Sequence, residues 1–303
     1  MSTQKDRRLI VIVGPTGSGK SSLSLALAHH FDAPIISTDS RQLYRGIPIG
    51  TAQPSDEDLR AVEHYFIACR DLAEDYNAGE YEHDVLRCLG GLFESHDTVI
   101  AVGGSGLYIK ALCEGFDELP EVSDEVREAV RSLYVSDGLD ALLTELKERD
   151  PEFYEEVDRA NSARVMRALE VCRASGGRYS DLRQGGAKMR DFEIVKVGLD
   201  LPRAELYGRI DRRVEQMMEM GLELEARSVY SLRHLNSLQT VGYREMFGCF
   251  DGEYDLSRAV ELIQRNSRRY AKRQMTWFRR DVDIEWFEAL SPEAVIKHIE
   301  TKK

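Results

Sequence analysis

Eight consecutive residues, Gly14-Pro15-Thr16-Gly17-Ser18-Gly19-Lys20-Ser21, carry the clearest chemistry in this chain. An apolar run at residues 9–13 precedes them. Residues 22–30 follow, with Leu23, Ala26, Leu27 and His30 at helical spacing. Glycines in such a loop let successive backbone N–H groups turn toward one anion, and the start of the helix adds its positive end. Lys20 contributes a point charge, and the Ser21 hydroxyl is a ligand for Mg²⁺. Strand, loop and helix together predict a site for a diphosphate or triphosphate. They do not name the reaction, because kinases, nucleotide hydrolases and transferases that expel diphosphate all use such a loop.

Two further clusters fall where a parallel sheet would bring them beside that loop. Asp39, with Ser40, Arg41 and Gln42, follows the short apolar segment 33–37. A carboxylate just past a strand end lies in the ligand crevice of an open parallel sheet, where it can bind Mg²⁺, orient water or act as a base. Position alone reads it equally well as a helix N-cap. The segment 98–102 ends in Gly103-Gly104-Ser105-Gly106, which offers N–H groups and one hydroxyl at the same edge. A nucleotide hydrolase would usually place an acid there, so glycine argues against hydrolysis.

The elements that must position these groups follow a strand–helix rhythm. Residues 9–13, 33–37, 98–102 and 195–201 read as strands, and 79–93 as a helix, which predicts an α/β fold with a parallel sheet core. Residues 122–175 are helical throughout: Val126, Val130 and Leu133 form one stripe, Leu142, Leu143 and Leu146 another. The expected layout is a phosphate-loop core over 1–115 and 192–303, with a helical lobe inserted at 116–191. Beyond Pro202 the chain turns helical again, with Leu206, Ile210, Val214 and Met217 on one face.

Composition bounds the class. The 303 residues are 42% apolar and 31% charged, as in an ordinary globular protein. No apolar stretch is long enough to cross a bilayer, and the polar N-terminus predicts a cytoplasmic protein. Five scattered cysteines with no C-x-x-C pair argue against a disulfide framework or zinc site and suggest small buried apolar residues. The net charge of −12 argues against nucleic acid only as an average. Residues 159–190 are strongly basic, and 265–280 hold Arg265, Arg268, Arg269, Lys272, Arg273, Arg279 and Arg280 with no acid. Two basic segments on an acidic body predict a local polyanion surface. The bland reading of the second is a solvated basic helix with Tyr270 and Trp277 as core aromatics. The acidic run 145–158 reads as a solvated face.

The order G-P-T-G-S-G-K-S, S-T-D-S-R-Q-L-Y-R-G-I-P-I-G-T-A and V-G-G-S-G-L-Y-I-K-A-L resembles the bacterial tRNA dimethylallyltransferases, also called tRNA isopentenyltransferases. Downstream, R-V-M-R-A-L-E-V from Arg164, V-G-Y-R from Val241 and A-K-R-Q-M-T-W-F-R from Ala271 match the same family, so the resemblance spans roughly residues 9 to 280. It implies transfer of a dimethylallyl group from dimethylallyl diphosphate to N6 of adenosine 37 of tRNA, next to the anticodon. The partners it implies are a tRNA anticodon stem-loop, dimethylallyl diphosphate and Mg²⁺ on Ser21, with the protein acting as a monomer.

The resemblance also assigns roles. Asp39 would accept the N6 proton, Ser105 (where the family usually has Thr) would reach the reacting atoms, and Lys20 would stabilise the leaving group. The diphosphate would lie on residues 14–21 with Arg213. RNA contacts would come from Asp39, Ser40, Arg41, Gln42, Ser105, Arg127, Ala163, Arg164, Val165, Met166, Arg167, Gln239, Thr240, Val241, Gly242, Tyr243, Arg244, Lys272 and Arg273. The competing readings are a small-molecule phosphate-loop kinase and a phosphate-loop switch without chemistry. The switch would bind nucleotide and RNA, whereas a small kinase does not need the V-G-Y-R and A-K-R-Q segments.

Overall fold

The computed structural model describes residues 7–117, 119–183, 185–288 and 291–302. Most of the polar N-terminus read above, residues 1–6, lies outside the described residues. The chain forms two compact units. One is built from the segments that end at Cys113 and resume at Met189; the other is Glu114–Lys188.

The first unit is organised by a six-stranded, wholly parallel sheet in the order β3-β2-β4-β1-β5-β6. Its strands are β1 (Arg8–Val13), β2 (Ile35–Ser37), β3 (His64–Tyr65), β4 (Thr98–Val102), β5 (Glu193–Leu199) and β6 (Glu285–Phe287). Leu9 to Val13 are all fully buried, the continuous apolar pattern of a strand covered on both faces. The Lys20–Phe31 helix buries Leu23, Leu27 and Ala28 against Ile10, Ile12, Ile35 and Ile100, and the C-terminal helix Pro292–Thr301 adds Val295 and Ile299. Each such large side chain stabilises the fold by about 1.5–3 kcal/mol. The strand expected at 195–201 is β5, and it stops at Leu199, just before Pro202 caps the Arg203–Glu219 helix. The edge strands β3 and β6 have too few residues for any period to show.

The second unit is helical. Its main helix, Asp124–Arg149, is broken at Gly138 (φ 78°). It packs with Pro151–Glu156 and Ser162–Ser175 around Val130, Leu142, Leu146, Phe153, Val165 and Leu169. The acidic run 145–158 is not simply a solvated face. Asp150 is fully buried and accepts bonds from the Phe153 and Ser180 amides, at 3.0 and 2.8 Å, and from the Ser180 hydroxyl at 2.8 Å. Burial alone would raise its pKa, but these donors outweigh it and hold the carboxyl below its usual value. Glu145 is likewise engaged, bound to Arg173 at 2.9 Å.

Candidate active site

β1 delivers the phosphate loop to the carboxyl edge of the sheet. Gly19, the residue before the helix, has φ 92°, a left-handed conformation that glycine adopts without steric cost. The Ser18 amide donates to the Pro15 carbonyl at 3.2 Å, and the Lys20 ammonium donates to the same carbonyl at 2.7 Å. Burial lowers the Lys20 pKa most, the neighbouring Arg213 lowers it further, and Asp39 offsets part of this, leaving it at about 7. Arg213, carried by the Arg203–Glu219 helix, is itself pulled down by burial against the opposing pull of Asp39. Two half-buried cations and one carboxylate therefore converge beside the loop.

Asp39 follows β2 in a laced turn. Its Oδ1 accepts the Arg41 amide at 2.9 Å, and its own amide donates to Ser37 Oγ at 3.3 Å. Ser37 Oγ donates to Gln42 at 2.9 Å, and the Gln42 carboxamide donates to the Ala52 carbonyl at 2.8 Å. One oxygen closes a turn, with no helix following for Asp39 to cap, while the side chain borders open space.

That space consists of two cavities. A smaller one, about 110 Å³, has Lys20, Ser21, Asp39, Asp58, Gly103, Gly104 and Gln274 among its lining, with Leu25, Ile35, Ile67 and Val102 as apolar wall. A larger one, about 360 Å³, is lined by Asp39, Ser40, Arg41, Gln239, Thr240, Val241, Gly242, Arg244 and Arg273, among others. Thr16, Asp39, Thr51, Arg213 and Tyr270 line both.

Gln274, on the Leu256–Phe278 helix, joins the loops. Its Oε1 accepts the Thr16 amide at 2.8 Å, and its Nε2 donates to the Gly104 carbonyl at 2.9 Å. The close approach explains the glycine: a Cβ on Gly104 would stand 2.1 Å from Gln274 Nε2. Trp277, one turn on, is half-buried rather than deep core, and it packs where a Cβ on Gly106 would stand 2.4 Å from its Nε1. Gly104→Ala and Gln274→Ala should therefore weaken diphosphate binding alike, each by about 3–30-fold. Combining them should add little, because both remove one shared brace. Inhibition by inorganic diphosphate in the double-mutant cycle checks this, and full additivity would disprove a common brace.

Beside the larger cavity runs an open groove of about 650 Å³ with Arg233, Arg244, Arg265, Arg269 and Arg273 in its wall, together with Glu245, Asp251 and Glu253. The basic helix divides by pairing. Arg268 is tied to Asp211, and Arg279 to Asp200 at 2.8 Å. No ion pair among the described residues engages Arg265, Arg269 or Arg273.

The structure relocates several residues. Tyr243 is fully buried, its hydroxyl bonded to Glu225, which also accepts the Ile49 and Gly50 amides at 2.8 Å each. It braces the Gly50–Ala52 wall and has no surface for RNA. Val165 is fully buried in the helical unit and likewise offers none. Ser105 lines neither cavity. It accepts the Ser40 amide at 2.9 Å and donates to the Ser40 hydroxyl at 3.1 Å, supporting the turn behind Asp39. Lys272 is exposed and lines none of these spaces.

In the helical unit, Ala163, Arg164 and Arg167 are exposed and Met166 is half-buried. Arg167 meets Glu170 at 3.5 Å, and Arg127 meets Asp124 at 3.4 Å. Exposed pairs of this kind contribute little and leave both arginines available. Tyr270, Gln274, Thr51 and Glu225 were not singled out as site residues by sequence. Gln274 lay in plain view inside A-K-R-Q, but nothing in that string says which loops it joins. Two of the five cysteines, Cys113 and Cys172, are buried, and the others are half-buried.

A parallel sheet that brings a phosphate loop, two half-buried cations and a carboxylate to one edge, with a second cavity beyond, defines a phosphate-loop group-transfer protein. The IPP transferase family model matches residues 42–281. The chain is 50% identical over 291 residues to tRNA dimethylallyltransferase 2 of Parabacteroides distasonis, covering 96% of this chain and 97% of that one. It is similar to the solved tRNA isopentenylpyrophosphate transferase of Bacillus halodurans, with TM-score 0.71, 34% identity, and coverage of 97% and 94%. The Staphylococcus epidermidis tRNA isopentenylpyrophosphate transferase gives TM-score 0.70, 30% identity and 98% of each chain. The chain belongs to the IPP transferase family.

Proposed function

We propose that this chain transfers the dimethylallyl group of dimethylallyl diphosphate to N6 of the adenosine just 3′ of the anticodon in tRNA. The observation that carries this reading is Asp39, which lines both the cavity at the phosphate loop and the larger one beside it. A base that takes a proton from the nucleophile must stand where nucleophile and electrophile meet. The diphosphate lies on residues 14–21, against Lys20 and Arg213, which take up the charge released as the C1–O bond breaks. The N6 lone pair forms the new bond to C1, its proton passes to Asp39, and diphosphate departs. The larger cavity, about 360 Å³, has room for one base extruded from its stack.

Mg²⁺ fits the donor set. Ser21, Asp39 and Asp58 offer hard oxygens at the smaller cavity, and no cluster of three or more His, Cys, Asp or Glu occurs among the described residues. Mg²⁺ commonly takes few protein ligands and completes its shell with substrate phosphates and water. When bound by these residues, it supplies further neutralisation of the leaving diphosphate. Among the described residues no helix is long and apolar enough to cross a membrane, which is in keeping with work on cytoplasmic tRNA.

The deciding test incubates the protein with unmodified tRNA, dimethylallyl diphosphate and Mg²⁺, then weighs the nucleosides after digestion. An adenosine heavier by one C5 unit supports the reading. ATP turnover with no modified adenosine would replace it with a kinase.

RNA affinity should fall with salt, since phosphate contacts release counterions. Arg269→Ala should flatten the plot of log affinity against log salt by about 0.7–0.9 while leaving the transfer rate at saturating RNA unchanged. An unchanged slope would remove the arginine groove from the RNA-binding surface.

A further inference from the structure

The five residues that line both cavities are Thr16, Asp39, Thr51, Arg213 and Tyr270. The electrophilic carbon has to pass at this junction, since the diphosphate it leaves is held on one side and the base that attacks it on the other. Of the five, only Tyr270 is aromatic. It stands one helical turn before Gln274 on the same helix, so the brace to Thr16 and Gly104 also fixes the height of its ring. Burial, reinforced by Asp39, pushes the phenol up to about 12, so the ring is neutral at working pH and brings no anion to the site.

As the C1–O bond of an allylic diphosphate lengthens, the electron pair leaves with the diphosphate. Positive charge then spreads over C1 and C3 of the allyl group before the N6–C1 bond is complete. Such a cation has no hydrogen-bond donors or acceptors, so hydroxyl groups serve it poorly. The negative face of an aromatic ring is the neutral group suited to it. A carboxylate could also attract it, but Asp39 is engaged by the N6 proton. Arg213 repels it.

We propose that Tyr270 is a catalytic residue whose ring stabilises the allylic cation character of the transferred group. This rests on the prenyl-transfer reading above. The test replaces Tyr270 by phenylalanine and by phenylalanines carrying one, two, three and five ring fluorines, which empty the ring face of negative potential at nearly constant shape. The single-turnover rate of transfer to an anticodon stem-loop is measured with both substrates saturating. Tyr270→Phe should stay within about threefold of the unaltered chain. The rate should then fall steadily with fluorine number, by on the order of tenfold across the series. Affinities for inorganic diphosphate and for the stem-loop should stay constant, which a merely structural role of the ring would not predict for the rate alone. A flat rate across the series, or a fall matched by lost binding, overturns the proposal. If the unaltered chain transfers no dimethylallyl group at all, the reading of the reaction fails instead.

Discussion

Asp39→Ala is expected to lower the single-turnover rate of dimethylallyl transfer by about 10²–10⁴-fold, the usual worth of a positioned general base. Stem-loop affinity should stay within a few-fold of the unaltered chain. The side chain closes one turn through the Arg41 amide at 2.9 Å, and that turn is also held by Ser37, Gln42 and Ser105. Its loss therefore removes a proton acceptor more than a scaffold. Asp39→Asn sharpens the test, because the amide keeps an oxygen for the Arg41 N–H but cannot take the N6 proton. It should be as slow as alanine and better folded. An Asp39→Asn chain working at near-normal rate would mean that the proton goes elsewhere. The thermal midpoint read alongside separates chemistry from folding.

The second large effect belongs to Lys20. Lys20→Met should weaken dimethylallyl diphosphate binding by about 10²-fold, in line with the loss of a buried charge-assisted contact. The pH dependence has a definite sign. The Lys20 pKa is lowered from 10.5 to about 7, so between those values the unfolded chain holds a proton that the folded chain lacks. Stability from this group is lowest below pH 7 and recovers as pH rises from 7 to 10.5. Binding runs the other way. A diphosphate beside Lys20 favours the ammonium, so binding at pH 8 should take up close to one proton, and binding at pH 6 far less. Affinity should fall by up to about tenfold per pH unit above 7. Calorimetry in two buffers of different ionisation enthalpy counts the proton. Equal uptake by the unaltered chain and Lys20→Met would place the titrating group elsewhere.

Much of this site is legible in one dimension because its parts are local. A phosphate loop is eight residues between a strand and a helix, and each of those neighbours announces itself by periodicity. Strands β1 and β4 were readable because they are central and apolar throughout. The edge strands β3 and β6 were not, since their pairing depends on register with Ile35 and Val197 rather than on their own pattern. Asp39 could be placed at the crevice because it follows a strand. Its role as the shared wall of two cavities could not, because the other wall comes from residues more than 170 positions away, Arg213 and Tyr270 among them.

The same split explains the misplacements. V-G-Y-R reads as one RNA-facing string, yet successive residues of a helix start point in different directions. Arg244 faces the groove while Tyr243 is buried against Gly50 and Glu225. Likewise Ala163 to Arg167 is one helical turn, so Val165 must face the core if Arg164 and Arg167 face water. In the basic helix, sequence supplied seven cations of equal standing. Pairing with Asp211 and Asp200 withdrew Arg268 and Arg279 and left Arg265, Arg269 and Arg273 toward the groove.

By itself the sequence determined the glycine-rich loop between strand and helix, the parallel sheet beneath it and the family, because these depend on short-range geometry and on residue order. Tertiary structure alone decided which groups stand together: Gln274 across Thr16 and Gly104, Ser105 behind Ser40, Tyr270 and Arg213 at the junction with Asp39. The reason is physical. Backbone preferences act over a few residues, whereas burial, charge pairing and the joining of cavities act between segments that only the folded sheet brings within a few ångströms.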